Sequence, residues 1–112
     1  MQKGDLMSTV YVVQEALGKN LIPAEQFGKI KICLPPGQIM YSVGPTVRRL
    51  HMVLRSFSIH DYLLCMGDPA AIGLATAIAS HVTGGKFKLL KWDKQERVYF
   101  PIEVDIFRRY DE

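Results

Sequence analysis

Cysteine is scarce in this sequence, long apolar runs are missing, and a long central stretch has no acidic residue. Each absence removes a class of protein. The two cysteines, Cys33 and Cys65, stand 32 positions apart with no second Cys or His at motif spacing, so neither belongs to a C-x-x-C zinc or redox pattern. Both sit in apolar strand patterns and read as small buried hydrophobes, not as halves of a disulfide. The longest nearly apolar run, Pro69 to Ala79, has 11 residues, against the roughly 20 of a membrane-spanning helix. No transmembrane helix is expected. Met1 to Leu6 carries Lys3 and Asp5 and leads into no apolar segment with a cleavage site, so no secretory signal is expected, and residues 1–7 are expected to be disordered.

What is present is ordinary globular composition, 48% hydrophobic and 22% charged over 112 residues. That excludes collagenous, coiled-coil and largely disordered chains. A chain of this length buries enough surface for one core, so residues 1–112 are expected to form a single domain. Charge is lopsided. Between Gln26 and His60 stand Lys29, Lys31, Arg48, Arg49 and Arg55 with no acid, a local charge of +5 in a chain whose net charge is +3. An anionic partner, nucleic acid included, would be drawn to that side. The plain alternative is a solvated basic surface.

Periodicity gives the order of elements. Thr9 to Gln14 is β-branched and aromatic and predicts a first strand; Ala16 to Phe27, with Gly18, Asn20 and Pro23, predicts a loop. Lys29 to Leu34 alternates strictly, with Ile30, Ile32 and Leu34 on one face and both lysines on the other. Pro35-Pro36-Gly37 turns the chain, and Gln38 to Ser42 is read as an antiparallel return strand. Gly44-Pro45-Thr46 opens a helix whose apolar stripe is Val47, Leu50, Val53, Leu54 and Phe57. Tyr62 to Met66 is a continuous apolar run, the pattern of a central strand covered on both faces.

Gly67-Asp68-Pro69 then reads as turn, N-cap and first residue of a second helix, ended near Val82 by Gly84-Gly85. That helix has no charged residue, which predicts burial on most sides or burial in an oligomer. Gly73, Thr76, Ser80 and Thr83 would form its small-residue stripe. A hairpin closes the chain: Lys86 to Trp92, a turn at Asp93 to Glu96, and a strand from Arg97 to Phe107 with Val98, Phe100, Ile102, Val104 and Ile106 on its buried face. Pro101 marks an edge or bulge. The order β-β-β-α-β-α-β-β predicts an α/β domain, a mixed sheet of five to six strands with two main helices.

Candidate sites follow from that topology, because ligands of such sheets sit beyond the carboxyl ends of the strands, where helices begin. At the first helix start, Gly44 and Thr46 with Arg48 and Arg49 a turn later make a candidate anion site; a plain solvated helix start explains the same residues. At the second, Gly67 and Asp68 would form the other wall of a cleft, although a capping carboxylate already takes the N–H groups an anion would need. Asp61 lies at the far end of the same strand and cannot share a site with Asp68. The phosphate-loop, dinucleotide and nucleophile-elbow motifs are absent, and His51, His60 and His81 have no ligand spacing, so no catalytic residue, metal or cofactor is expected. The last hairpin interleaves Lys86, Phe87, Lys88, Lys91, Trp92, Lys94, Arg97 and Tyr99, the residue types that stack and neutralise single-stranded nucleic acid. Alternating strands with rings packed inward produce the same string.

Tyr62-Leu63-Leu64 through Gly67-Asp68-Pro69, the alanine-rich helix, Leu89 to Gln95 and Tyr99-Phe100-Pro101 together resemble small α/β proteins of bacteriophage and environmental viral sequence, with a looser match at Val10 to Glu15. The resemblance implies a viral accessory protein in the cytoplasm of an infected bacterium and brings no catalytic residue with it. Two functions are therefore expected to compete: a non-enzymatic binding or assembly module that self-associates, and a nucleotide or phosphate-ligand protein using the cleft between the two helix starts. A weak nucleic-acid binder working through residues 26–60 is a further alternative.

Overall fold

A computed structural model describes residues 8–37 and 43–110. The strands are β1 (Thr9–Gln14), β2 (Lys29–Leu34), β3 (Tyr62–Leu64), β4 (Lys86–Asp93) and β5 (Val98–Asp105), and the α-helices are α1 (Gly44–Leu54) and α2 (Pro69–Thr83). They build an α/β fold around one five-stranded mixed sheet in the order β2-β1-β3-β4-β5, parallel except for the antiparallel edge strand β5. The return strand expected at Gln38 to Ser42 lies outside the described residues.

The sheet separates two cores, because successive side chains of a strand point to opposite faces. On one face Tyr11, Val13, Leu63 and Phe87 pack under both helices, with Leu50, Leu54 and Phe57 from the α1 stripe and Ala71, Ala75, Ile78 and Ala79 from α2. On the other, Val10, Val12, Leu64, Leu90 and Tyr99 pack with Ala24, Leu21 and Phe27. Those last three belong to or flank a 3-10 helix at Ile22–Phe27, in the segment expected to be a plain loop. Asn20 starts it by accepting the Ile22 N–H at 3.0 Å, Pro23 supplies a preset φ, and burial of Ala24 holds it on the sheet. Short polar and turn residues concealed an element that tertiary packing stabilises.

The 3-10 helix crosses one face as the chain moves outward from β1 to β2. Helix α1 crosses the other face as the chain returns past β1 to β3. Strand order thus reverses between β1 and β3, and beyond the bond from the Gln14 N–H to the Met66 carbonyl, at 3.1 Å, the connections that follow these two strands diverge to opposite faces.

Helix α2 has the expected ends. The Asp68 carboxylate accepts the Ala70 N–H at 2.8 Å, and Gly84, left-handed at φ 69°, closes the last turn while the Gly85 N–H reaches the Ser80 carbonyl at 2.8 Å. Of the two expected alternatives, burial on most sides by its own chain is the one that fails. Ala71, Ala75, Ile78 and Ala79 are covered, yet Ala70, Gly73, Ala77, His81 and Val82 face outward, so the chain buries only one side of this uncharged helix. Thr76 and Thr83 donate their hydroxyls back to the Ile72 and Ala79 carbonyls, and an added Cβ at Gly73 would meet nothing.

Two further corrections concern strands. The run Tyr62 to Met66 pairs regularly only as far as Leu64: the Cys65 N–H still donates to the Leu90 carbonyl and the Met66 carbonyl still accepts from the Gln14 N–H, both at 3.1 Å, while the Met66 N–H folds back onto the Leu64 carbonyl. On β5 the face expected to be buried is half open: Phe100, Ile102 and Val104 are partly covered, Val98 is 43% exposed, and beyond the strand Ile106 is 54% exposed. The cause is reach, since α2 packs on β1 and β4 and does not extend over the edge strand. The well-buried residue of β5 is Tyr99, on the opposite face, whose hydroxyl donates to the Asn20 carbonyl at 3.4 Å.

Candidate functional site

At the carboxyl end of the sheet the residue that organises the loops is Gln14, the last of β1. Its side chain is buried because the chain passes over it on two sides. The amide nitrogen donates to the Pro35 carbonyl at 3.0 Å and to the Gly37 carbonyl, while the amide oxygen accepts the Asp68 N–H at 2.7 Å. One amide, using donors and acceptor together, ties the turn after β2 to the start of α2. Gly67 makes this possible. Its φ of 117° suits glycine, and a Cβ there would lie 2.4 Å from the Gln14 Cβ.

Beside this junction, where the connections after β1 and β3 diverge, lies a crevice of about 500 Å³. The loop after β1 supplies Ala16, Gly18, Lys19 and Asn20; the end of β3 and the turn beyond it supply Leu64, Cys65, Met66 and Gly67; the hairpin supplies Trp92 and Tyr99. Trp92 and Tyr99 face each other across the β4–β5 pair, their ring centroids 4.8 Å apart and edge to face. Burial pushes the Tyr99 phenol above its usual range and does the same to the Cys65 thiol, against a small opposing pull from Lys91. Both groups stay protonated and neutral near pH 7, so Cys65 is no thiolate nucleophile there. Among the described residues no three His, Cys, Asp or Glu side chains gather as a metal would require.

The residues singled out from sequence fall in different places. Arg48 and Arg49 lie with Pro45, Met52 and Val53 along a shallow groove on the outside of α1. The Arg49 Nε donates to the Cys33 carbonyl at 3.0 Å, which fixes that side chain against the end of β2. Gly44 and Thr46 occupy the first turn of α1, where no side chain caps the helix. Gly67 lines the crevice, while Asp68 serves as the α2 cap. The residue that joins the turn after β2 to the start of α2 is Gln14, expected only as the last residue of the first strand. The signal was a lone amide ending an apolar strand. Asp61, at the opposite end of the sheet, accepts from the Thr9 N–H at 2.9 Å and the Ser58 N–H at 2.8 Å and joins the starts of β1 and β3. Of the rings in the basic hairpin, Phe87 and Tyr99 are buried, and Trp92 is 38% exposed.

The Phage Pam3 gp32-like protein family matches residues 8–106, a span running from the first residue before β1 to just past β5. The chain belongs to that family. No curated protein and no solved structure matches it. The Phage Pam3 gp32-like match takes in the Gln14 junction, both helix starts and every residue of the crevice. Among the described residues, no helix is long and apolar enough to cross a membrane.

Proposed function

We propose that this Phage Pam3 gp32-like protein is a non-enzymatic accessory module, acting in the cytoplasm of an infected bacterium, that works by assembling with a second copy of itself. The observation that supports this is the pairing of two uncovered surfaces on one side of the sheet. Helix α2 turns an uncharged row outward, and beside it the apolar middle of the β4–β5 pair, with Leu89, Phe100, Ile102 and Val104, is only partly covered. A symmetric dimer places the same patch against itself, so an apolar patch is its own complement. Lys91, which pairs with Phe100 on the same face, is a charged residue at its margin. Gly73 fits the same reading, since an exposed mid-helix glycine costs about 1 kcal/mol relative to alanine and nothing within the chain requires it.

The test is the mass in solution at micromolar concentration by light scattering, for the natural chain and for Ala77→Glu. Position 77 is exposed, so the monomer fold tolerates the change. A dimer that the substitution converts to a monomer supports the reading; a natural chain that stays monomeric overturns it.

A further inference from the structure

We propose that the crevice where the connections after β1 and β3 diverge is a binding site for a flat aromatic ligand carrying one negative charge, its ring against Trp92 and Met66 and its charge at Lys19. The inference stands apart from self-assembly and rests on three observations.

The first is position. Strand order reverses between β1 and β3, so the loop after β1 departs toward one face and the turn after β3 toward the other, leaving an opening at their carboxyl ends. The opening of about 500 Å³ falls within the roughly 300–1,000 Å³ usual for small-molecule sites.

The second is the chemistry of the walls. Trp92 is held edge-on by Tyr99, whose own hydroxyl is anchored to Asn20, so the indole is fixed in place while remaining 38% exposed. A fixed, partly exposed indole offers a stacking face at little entropic cost. Leu64 and the Met66 thioether complete an apolar wall, and thioether sulfur packs favourably on aromatic rings. Ligands without a flat apolar body would leave these groups wet.

The third is charge. Among the described residues Lys19 is the one charged side chain lining the crevice, and no carboxylate lines it. Tyr99 and Cys65 are neutral, as their burial requires. Asn20 uses its side-chain oxygen on Ile22 and its backbone carbonyl on Tyr99, so its NH2 group can serve an acceptor at the same end as Lys19. One negative charge is matched; a polyanion is not.

Nucleotides and aromatic carboxylates share this chemistry, and the experiment separates them. Trp92 is the sole tryptophan of the sequence, so the fluorescence comes from one indole at the crevice wall, and the Lys19 substitution below assigns a response to the crevice. The full chain is titrated with adenosine 3′,5′-cyclic monophosphate and phenylacetate, each of which carries one negative charge, and with adenosine and inorganic phosphate, with the indole N–H resonance as a second readout. The expected result is a saturable shift with at least one of the two aromatic anions, and adenosine and phosphate weaker by about tenfold or more. Response to the nucleotide alone, to the carboxylate alone, or to both supports the proposal and names the source. Lys19→Ala, at an exposed loop position, is expected to weaken the anion about tenfold and to leave adenosine unchanged. No response to either anion, phosphate binding without the ring, or adenosine binding as tightly as its monophosphate would overturn it.

Discussion

The parallel part of the sheet and its antiparallel edge are made from similar residues and end in opposite states. Val10, Val12, Val13, Leu63 and Leu64 of β1 and β3 are buried to within 1%, because crossovers lay the 3-10 helix over one face and α1 and α2 over the other. Val98, Phe100, Ile102 and Val104 of β5 are just as apolar and remain partly or largely exposed. A parallel strand needs a crossover, and a crossover brings its own cover; a hairpin strand arrives with none. Alternating apolar residues therefore state what a face requires and leave open whether this chain or another supplies it.

Single substitutions sharpen the contrast, beginning with the largest effect. Leu63→Ala, at a fully buried position between β1 and β4, is expected to lower unfolding free energy by about 2–5 kcal/mol in urea denaturation. A loss under about 1 kcal/mol would show that the parallel core is looser than its burial implies.

Gly67→Ala comes next. The methyl group would collide with Gln14 and hold a residue at positive φ, an expected cost of about 2–3 kcal/mol. Gln14→Gly in the same background removes the colliding Cβ and should restore the part of the loss that is the clash, which the double cycle measures.

Burial pushes the Cys33 thiol from 9.0 up to about 12, with smaller opposing pulls from Lys31 and Arg49. The folded state then holds a proton that the unfolded chain releases. Stability is fully present below pH 9 and falls between pH 9 and 12, with a slope of at most about 1.4 kcal/mol per pH unit for this thiol. Raised values at the buried Tyr11 and Tyr99 steepen the loss above pH 10. Chemical denaturation across that range should show a shallower fall for Cys33→Ala.

Ile102→Ser on the edge strand has the smallest expected effect on the monomer, under about 1 kcal/mol, since the side chain is only partly covered. A loss as large as that of Leu63→Ala would abolish the distinction between the two regions.

Much of this architecture was legible beforehand. β1, β2 and both helices could be placed because each rule involved is local: alternation at Lys29 to Leu34, Pro45 in the first turn of α1, the Asp68 cap and the glycines that end α2. Two features were not legible. The 3-10 helix depends on packing under β1 and β2, which no window of sequence contains. The open face of β5 depends on where α2 stops, a property of layer width and not of the strand's own pattern. At the site, Gly67 is legible as a turn glycine, whereas Gln14 ties Asp68 from 54 positions away and Asn20, Leu64 and Tyr99 meet around the crevice from positions far apart in the chain.

The central claim, that a second copy covers the open edge, is tested most directly by hydroxyl-radical footprinting over a dilution series. Phe100 and Ile102 should become less reactive as concentration rises, while Met52, 62% exposed on the far side of α1, should not change. Reactivity of Phe100 and Ile102 that is independent of concentration, or protection appearing at Met52 instead, would contradict the account.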